Sequence, residues 1–107
     1  MSEVFIKGAF ALPVVAGDVR TAWQKEGFGF GVFRDRPGQE WNDFVHDKDE
    51  FVVVAEGELS ISVGTETADC EAGDLVRIPR GAVHSLKTNS QGGSVWFYGY
   101  GHWGENG

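Results

Sequence analysis

The sequence predicts an all-β protein, a small barrel or sandwich. Three observations carry that prediction. Short strand signals recur along the chain at spacings of about 8–12 residues. Sixteen glycines against three prolines are spread through 107 residues, as suits many short elements joined by turns. Only one stretch has a helical pattern.

That stretch is 18–26, with Asp18 as the candidate N-cap. Phe28 to Phe33 follows as a strand interrupted by glycines. Phe51-Val52-Val53-Val54 is a continuous apolar run, and Leu59 to Val63 alternates with period two. Glu56-Gly57-Glu58 supplies a turn between them, so residues 50–63 are expected to form a hairpin. Alternation places Glu50, Val52 and Val54 on one face, inward, and Phe51 and Val53 outward. Such an outward apolar pair, beside exposed sheet edges, predicts that two barrels associate as a homodimer. Leu75 to Ile78 is a short strand stopped by Pro79 and Gly81. Ser94 to Tyr100 is a last, aromatic strand with Trp96, Tyr98 and Tyr100 on one face and Phe97 on the other. Residues 104–107 are expected to fray.

Composition bounds the rest. The length predicts one domain over residues 1–107, because a second core would need roughly 50 residues more. A hydrophobic share of 41%, with 13% aromatic, excludes wholesale disorder. Sixteen acidic against nine basic side chains give a net charge of −7, and there is no basic run. Nucleic acid and anionic membranes are therefore not expected partners. No apolar stretch approaches the roughly 20 residues of a membrane span. MSEVFIKGAF does not have the layout of a signal peptide, so a cytoplasmic location is expected. A single cysteine, Cys70, excludes an internal disulfide and a cysteine-rich zinc module. Flanked by Asp69 and Glu71, it reads as a small apolar filler with a raised pKa.

His46 and Glu50 lie four apart, and His84 follows Pro79-Arg80-Gly81. Two imidazoles and a carboxylate suit a divalent first-row metal and leave coordination positions open. On residues alone, solvated surface histidines fit as well. In His46-Asp47-Lys48-Asp49-Glu50 the two ends are expected inward and the middle three in a solvated turn. Tyr98 and Tyr100 are candidate hydrogen-bond donors to a metal-bound ligand, or else core or dimer surface. Arg77 and Arg80 are candidate clamps for a substrate carboxylate, or else solvated charges. Trp41 either caps the barrel mouth or fills the core edge. His102 belongs to an exposed tail.

Gly38, five residues, Phe44-x-His46, three residues, Glu50, six residues and Gly57 resemble the first motif of the cupin family. Gly73, five residues, Pro79-x-Gly81, two residues and His84 resemble the second. The 15 residues between them match the short spacing of compact microbial cupins, and the motifs together cover residues 38–88. The resemblance implies a double-stranded β-helix, or jelly-roll, barrel with a metal inside its mouth, held by His46, Glu50 and His84. Two positions depart from it. Phe44 stands where the family has its first motif histidine, and Thr88 where it has an asparagine, with Asn89 one step later. Phe44 is expected to point inward beside His46. It leaves either a three-ligand site with an apolar neighbour or a barrel that no longer binds metal.

Two functional classes follow. In one, the site holds Fe, Mn, Ni or Zn, and a small polar metabolite such as a sugar acid, keto acid or other organic acid fills the open positions. Isomerase, lyase or dioxygenase chemistry would then be expected, with the metal as Lewis acid or oxygen-activating centre. In the other, the same pocket serves a non-catalytic binding or sensor barrel. The fold hosts both, so it does not choose.

Overall fold

The computed structural model describes residues 4–102, so the tail expected to fray lies outside the described residues. In chain order the elements are β1 (Phe5–Ile6), α1 (Ala16–Gln24), β2 (Gly31–Asp35), β3 (Glu40–Phe44), β4 (Asp49–Glu56) and β5 (Glu58–Val63). β6 (Glu66–Glu71), β7 (Leu75–Ile78), β8 (His84–Thr88) and β9 (Ser94–Gly101) complete them. One sheet has the order β1-β7-β4-β9-β2 and the other β3-β8-β5-β6, and the strand pairs are antiparallel. No helix among the described residues is long and apolar enough to cross a membrane.

The expected hairpin over residues 50–63 is corrected by the pairing. β4 pairs with β7 and β9, whereas β5 pairs with β6 and β8 in the other sheet. The turn at Gly57 is therefore a corner between sheets, not a hairpin loop. Gly57 has φ +84°, and a Cβ there would collide with the Gly93 carbonyl, so glycine alone fits.

Alternation along β4 feeds two cores. Val52 and Val54 join Leu59, Ile61, Ile78 and Trp96 between the sheets. Phe51 and Val53, expected outward, are buried against Val19, Trp23 and Phe28. Phe51 lies 5.4 Å from the stacked ring of Trp23 and 4.3 Å from that of Phe28. α1 thus covers the outer face of the larger sheet, through Val19 and Trp23 four apart on one helix face. The chain itself shields the apolar pair from which a dimer was expected.

α1 starts two residues before the expected boundary. Its N-cap is Val15, which makes no side-chain cap hydrogen bond, and Asp18 sits in the first turn instead. There its charge favours the positive end of the helix dipole. The early strand begins at Gly31 rather than Phe28, which turns inward to the outer core. Cys70 is buried between the sheets, and burial above all pushes its thiol up to about 11. The nearby charges of Asp74 and Asp69 add to this, while Lys7 works against it.

Candidate metal centre and its cavity

Register decides what faces the space between the sheets. On β4, Glu50 stands opposite Ile78 of β7 and Tyr100 of β9, so these three share the inner face. On β8, His84 stands opposite Phe44 of β3 and Val63 of β5. The loop between β3 and β4 brings His46 to the same place.

There the three side chains converge. Ligand atoms of His46, Glu50 and His84 all lie within 4.8 Å of one another, a set that could hold a metal ion. His46 Nε2 lies 3.0 Å and His84 Nε2 3.4 Å from the same atom, Glu50 Oε1. Both Nδ1 atoms are occupied: His46 Nδ1 is 2.9 Å from the Lys48 carbonyl and His84 Nδ1 3.1 Å from that of Ala82. A carbonyl only accepts, so each Nδ1 carries the hydrogen and each neutral ring directs the Nε2 lone pair at the carboxylate. Lone pairs facing a buried carboxylate repel unless a proton or a cation lies between them. Without a metal, a proton on His84 can fill that role. Burial disfavours the His84 imidazolium, yet its hydrogen bonds to Glu50 and Ala82 and the Glu50 charge outweigh burial and raise its pKa above 6.5. The N, N, O donor set, oriented from behind by backbone carbonyls, fits a divalent first-row metal.

Above the triangle opens a cavity of about 210 Å³. Besides the three polar groups, its lining includes Phe33, Trp41, Phe44, Leu86, Trp96 and Tyr100. Trp41 and Trp96 both direct their indole N–H at Asp35 Oδ2, at 3.0 and 2.7 Å. Tyr100 packs edge-on to His46 with ring centroids 4.9 Å apart. Burial, the Glu50 charge and Tyr98 push its hydroxyl up to about 12, so at neutral pH it remains a donor.

Residues 31–99 match the family described as Cupin domain, a span that includes the His46, Glu50 and His84 cluster. The chain is a cupin. Among solved structures it resembles TT1209 from Thermus thermophilus, at 25% identity and a TM-score of 0.64 over 70% of this chain and 73% of that one. A Rhizobium leguminosarum protein of unknown function matches at 27% identity and a TM-score of 0.63, over 70% of each chain. Salicylate 1,2-dioxygenase from Pseudaminobacter salicylatoxidans, at 22% identity and a TM-score of 0.63, covers 68% of this cupin with 20% of its own length and shows the fold alone. No curated protein matches the chain.

In this cupin Phe44 lines the cavity beside His46 and is 42% exposed at the mouth. The strand reaches it through an irregularity between Trp41 and Phe44, with Asp43 at φ +58° and its N–H donated to Ser85 Oγ. Trp41 stands at the cavity wall with its ring edge held by Asp35. Tyr98 lies on the same sheet face as Tyr100 but behind the cavity, its ring over Gly31.

Arg77 is corrected as a candidate. It stands opposite Phe51, on the α1 side of β7, and lines a separate depression with Trp23 and Glu26. The sheet itself separates it from the His46, Glu50 and His84 cluster. Arg80 is engaged with Asp49, which accepts its backbone N–H at 2.8 Å, and its guanidinium reaches the exposed His102 at 3.3 Å. Asp49 is accordingly buried and not part of a solvated turn. Sequence reasoning missed Asp35, Phe33 and Leu86. Asp35 precedes Arg36-Pro37-Gly38 and has the look of a turn residue; only the β2–β9 register, with Phe33 opposite Trp96, shows its role.

Proposed function

We propose that this cupin is a metalloenzyme that holds one divalent ion, Fe, Mn, Ni or Zn, through His46, Glu50 and His84 and acts on a small organic molecule in the cavity above. The observation that carries the proposal is the convergence of two imidazole Nε2 atoms on one buried carboxylate oxygen, each ring locked by a backbone carbonyl. A bound ion would supply Lewis acidity or oxygen activation. The chain's own residues do the rest. Glu50 offsets the ion's charge, and the Lys48 and Ala82 carbonyls hold the imidazoles in the ligating tautomer. Phe44 occupies the quadrant of a further ligand with an apolar ring and so leaves room for a small molecule at the centre. Tyr100, protonated at neutral pH, can donate a hydrogen bond to an oxygen bound there.

Elemental analysis of protein purified without added metal tests the centre. About one equivalent per chain is expected in the wild type and almost none in His84→Ala. Equal, substoichiometric metal in both would overturn the assignment.

A further inference from the structure

We infer that the cavity accepts the flat apolar body of a single-ring aromatic ligand, with its oxygen substituents towards His46, Glu50 and His84, rather than a polyhydroxy or aliphatic acid. The inference names the substrate class of the centre proposed above and rests on that reading for the oxygens, but on the cavity walls alone for the ring.

The walls form a closed circuit of rings. Phe33 lies 5.4 Å from Trp41, Trp41 6.0 Å from Phe44, and Phe44 6.2 Å from His84. His84 meets His46 at 4.8 Å, and His46 meets Tyr100 at 4.9 Å. Tyr100 then meets Tyr98 at 5.7 Å, and Tyr98 returns to Phe33 at 5.0 Å. Each step falls in the range of aromatic contact, about 4.5–7 Å. Six of the seven rings face the cavity, Tyr98 lying behind it. A planar guest in the cavity meets the rings of Phe33, Trp41, Phe44, His46, His84 and Tyr100.

Part of the wall is held before any ligand arrives. Asp35 fixes the Trp41 and Trp96 indoles, and the Lys48 and Ala82 carbonyls fix the imidazoles. Ordering those four rings therefore costs little on binding.

Polarity favours the ring over the alternative. Among the described residues that line the cavity, the hydrogen-bonding groups are His46, Glu50, His84, Tyr100 and the two indoles, already given to Asp35. No lysine, arginine or amide lines it, and Arg77 and Arg80 are turned elsewhere. A sugar acid would leave most of its hydroxyls without partners, whereas a ring needs none. Size agrees: an apolar cavity of ~150 Å³ holds benzene, and this one is about 210 Å³, so one substituted ring fits.

The test is a protein NMR titration of the full chain, Zn²⁺-loaded and chelator-treated, with catechol and gluconate as probes. Catechol is expected to bind at least tenfold tighter than gluconate in both forms, with shifts clustered at the cavity. Trp41→Ala and the half-exposed Phe44→Ala should each weaken catechol about tenfold and leave Zn²⁺ affinity within twofold. Gluconate binding as tight as catechol, or catechol binding untouched by both folded wall variants, overturns the inference even where Zn²⁺ binds. Zn²⁺ failing to bind while catechol still excels overturns the metal centre and leaves the ligand class standing.

Discussion

Trp96 donates its indole N–H across 2.7 Å to Asp35, at the corner where the chain leaves the larger sheet for the smaller one. Trp41, on β3 of the smaller sheet, gives its own indole N–H to the same oxygen. One carboxylate thus joins an aromatic side chain from each sheet, just behind the cavity that they line.

Removing that carboxylate should loosen both walls. Asp35→Ala leaves the buried Trp96 N–H without an acceptor and is expected to cost about 2–4 kcal/mol, and Asp35→Asn, which keeps one acceptor, about half as much. Urea unfolding with an unchanged slope checks this. A midpoint equal to wild type in Asp35→Ala would mean that neither bond contributes.

Phe44→His is expected to tighten metal binding, by about tenfold or more in affinity, because it places a nitrogen donor opposite His84 on the adjoining strand. Activity should fall in the same variant, since a position open to the ligand is filled. Competition with a chelator of known affinity measures the first effect. Unchanged affinity would put the residue 44 side chain out of reach of the centre.

Acid should release the N-terminal strand. Buried Asp74 accepts the backbone N–H groups of Gly8 and Glu71 and pairs with Lys7. Burial opposes its charge, but Lys7 and the two N–H groups outweigh it, so its pKa lies below the ordinary 3.8. The unfolded chain therefore takes up this proton first, and the stabilisation is complete above that value and lost as pH falls through it towards the folded pKa. Asp74→Asn should remove this part of the acid limb in a plot of stability against pH. Parallel limbs for the two proteins would contradict it.

The grouping of His46, Glu50 and His84 was legible because two gapped motifs fix their order and spacing, while the sheet assignments were not. Val52 and Val54 alternate correctly with Phe51 and Val53, but a run buried on both faces looks the same as one with an outer face in water. What covers Phe51 is Trp23, 28 residues earlier, and no local pattern announces it. Periodicity likewise says that β4 and β5 are strands without saying which sheet each enters, so Gly57 passed for a hairpin turn. β6 escaped notice because Glu66, Asp69 and Glu71 face solvent and only Cys70 is fully buried. Arg77 was misplaced for want of a register: one step along β7 separates the inner face of Val76 and Ile78 from the helix side.

The placing of β4 between β7 and β9 also fixes when, during synthesis, the centre can come into being. His46, Glu50 and His84 have all left the ribosome before Trp96 and Tyr100 do. At about 5–20 residues per second, the interval between His84 and Gly101 lasts roughly one to three seconds. Throughout it a nascent chain carries His46, Glu50 and His84, yet β4 lacks one flanking strand and Glu50 has no Tyr100 beside it. Glu50 thus gains its Tyr100 neighbour only once β9 has docked on β4.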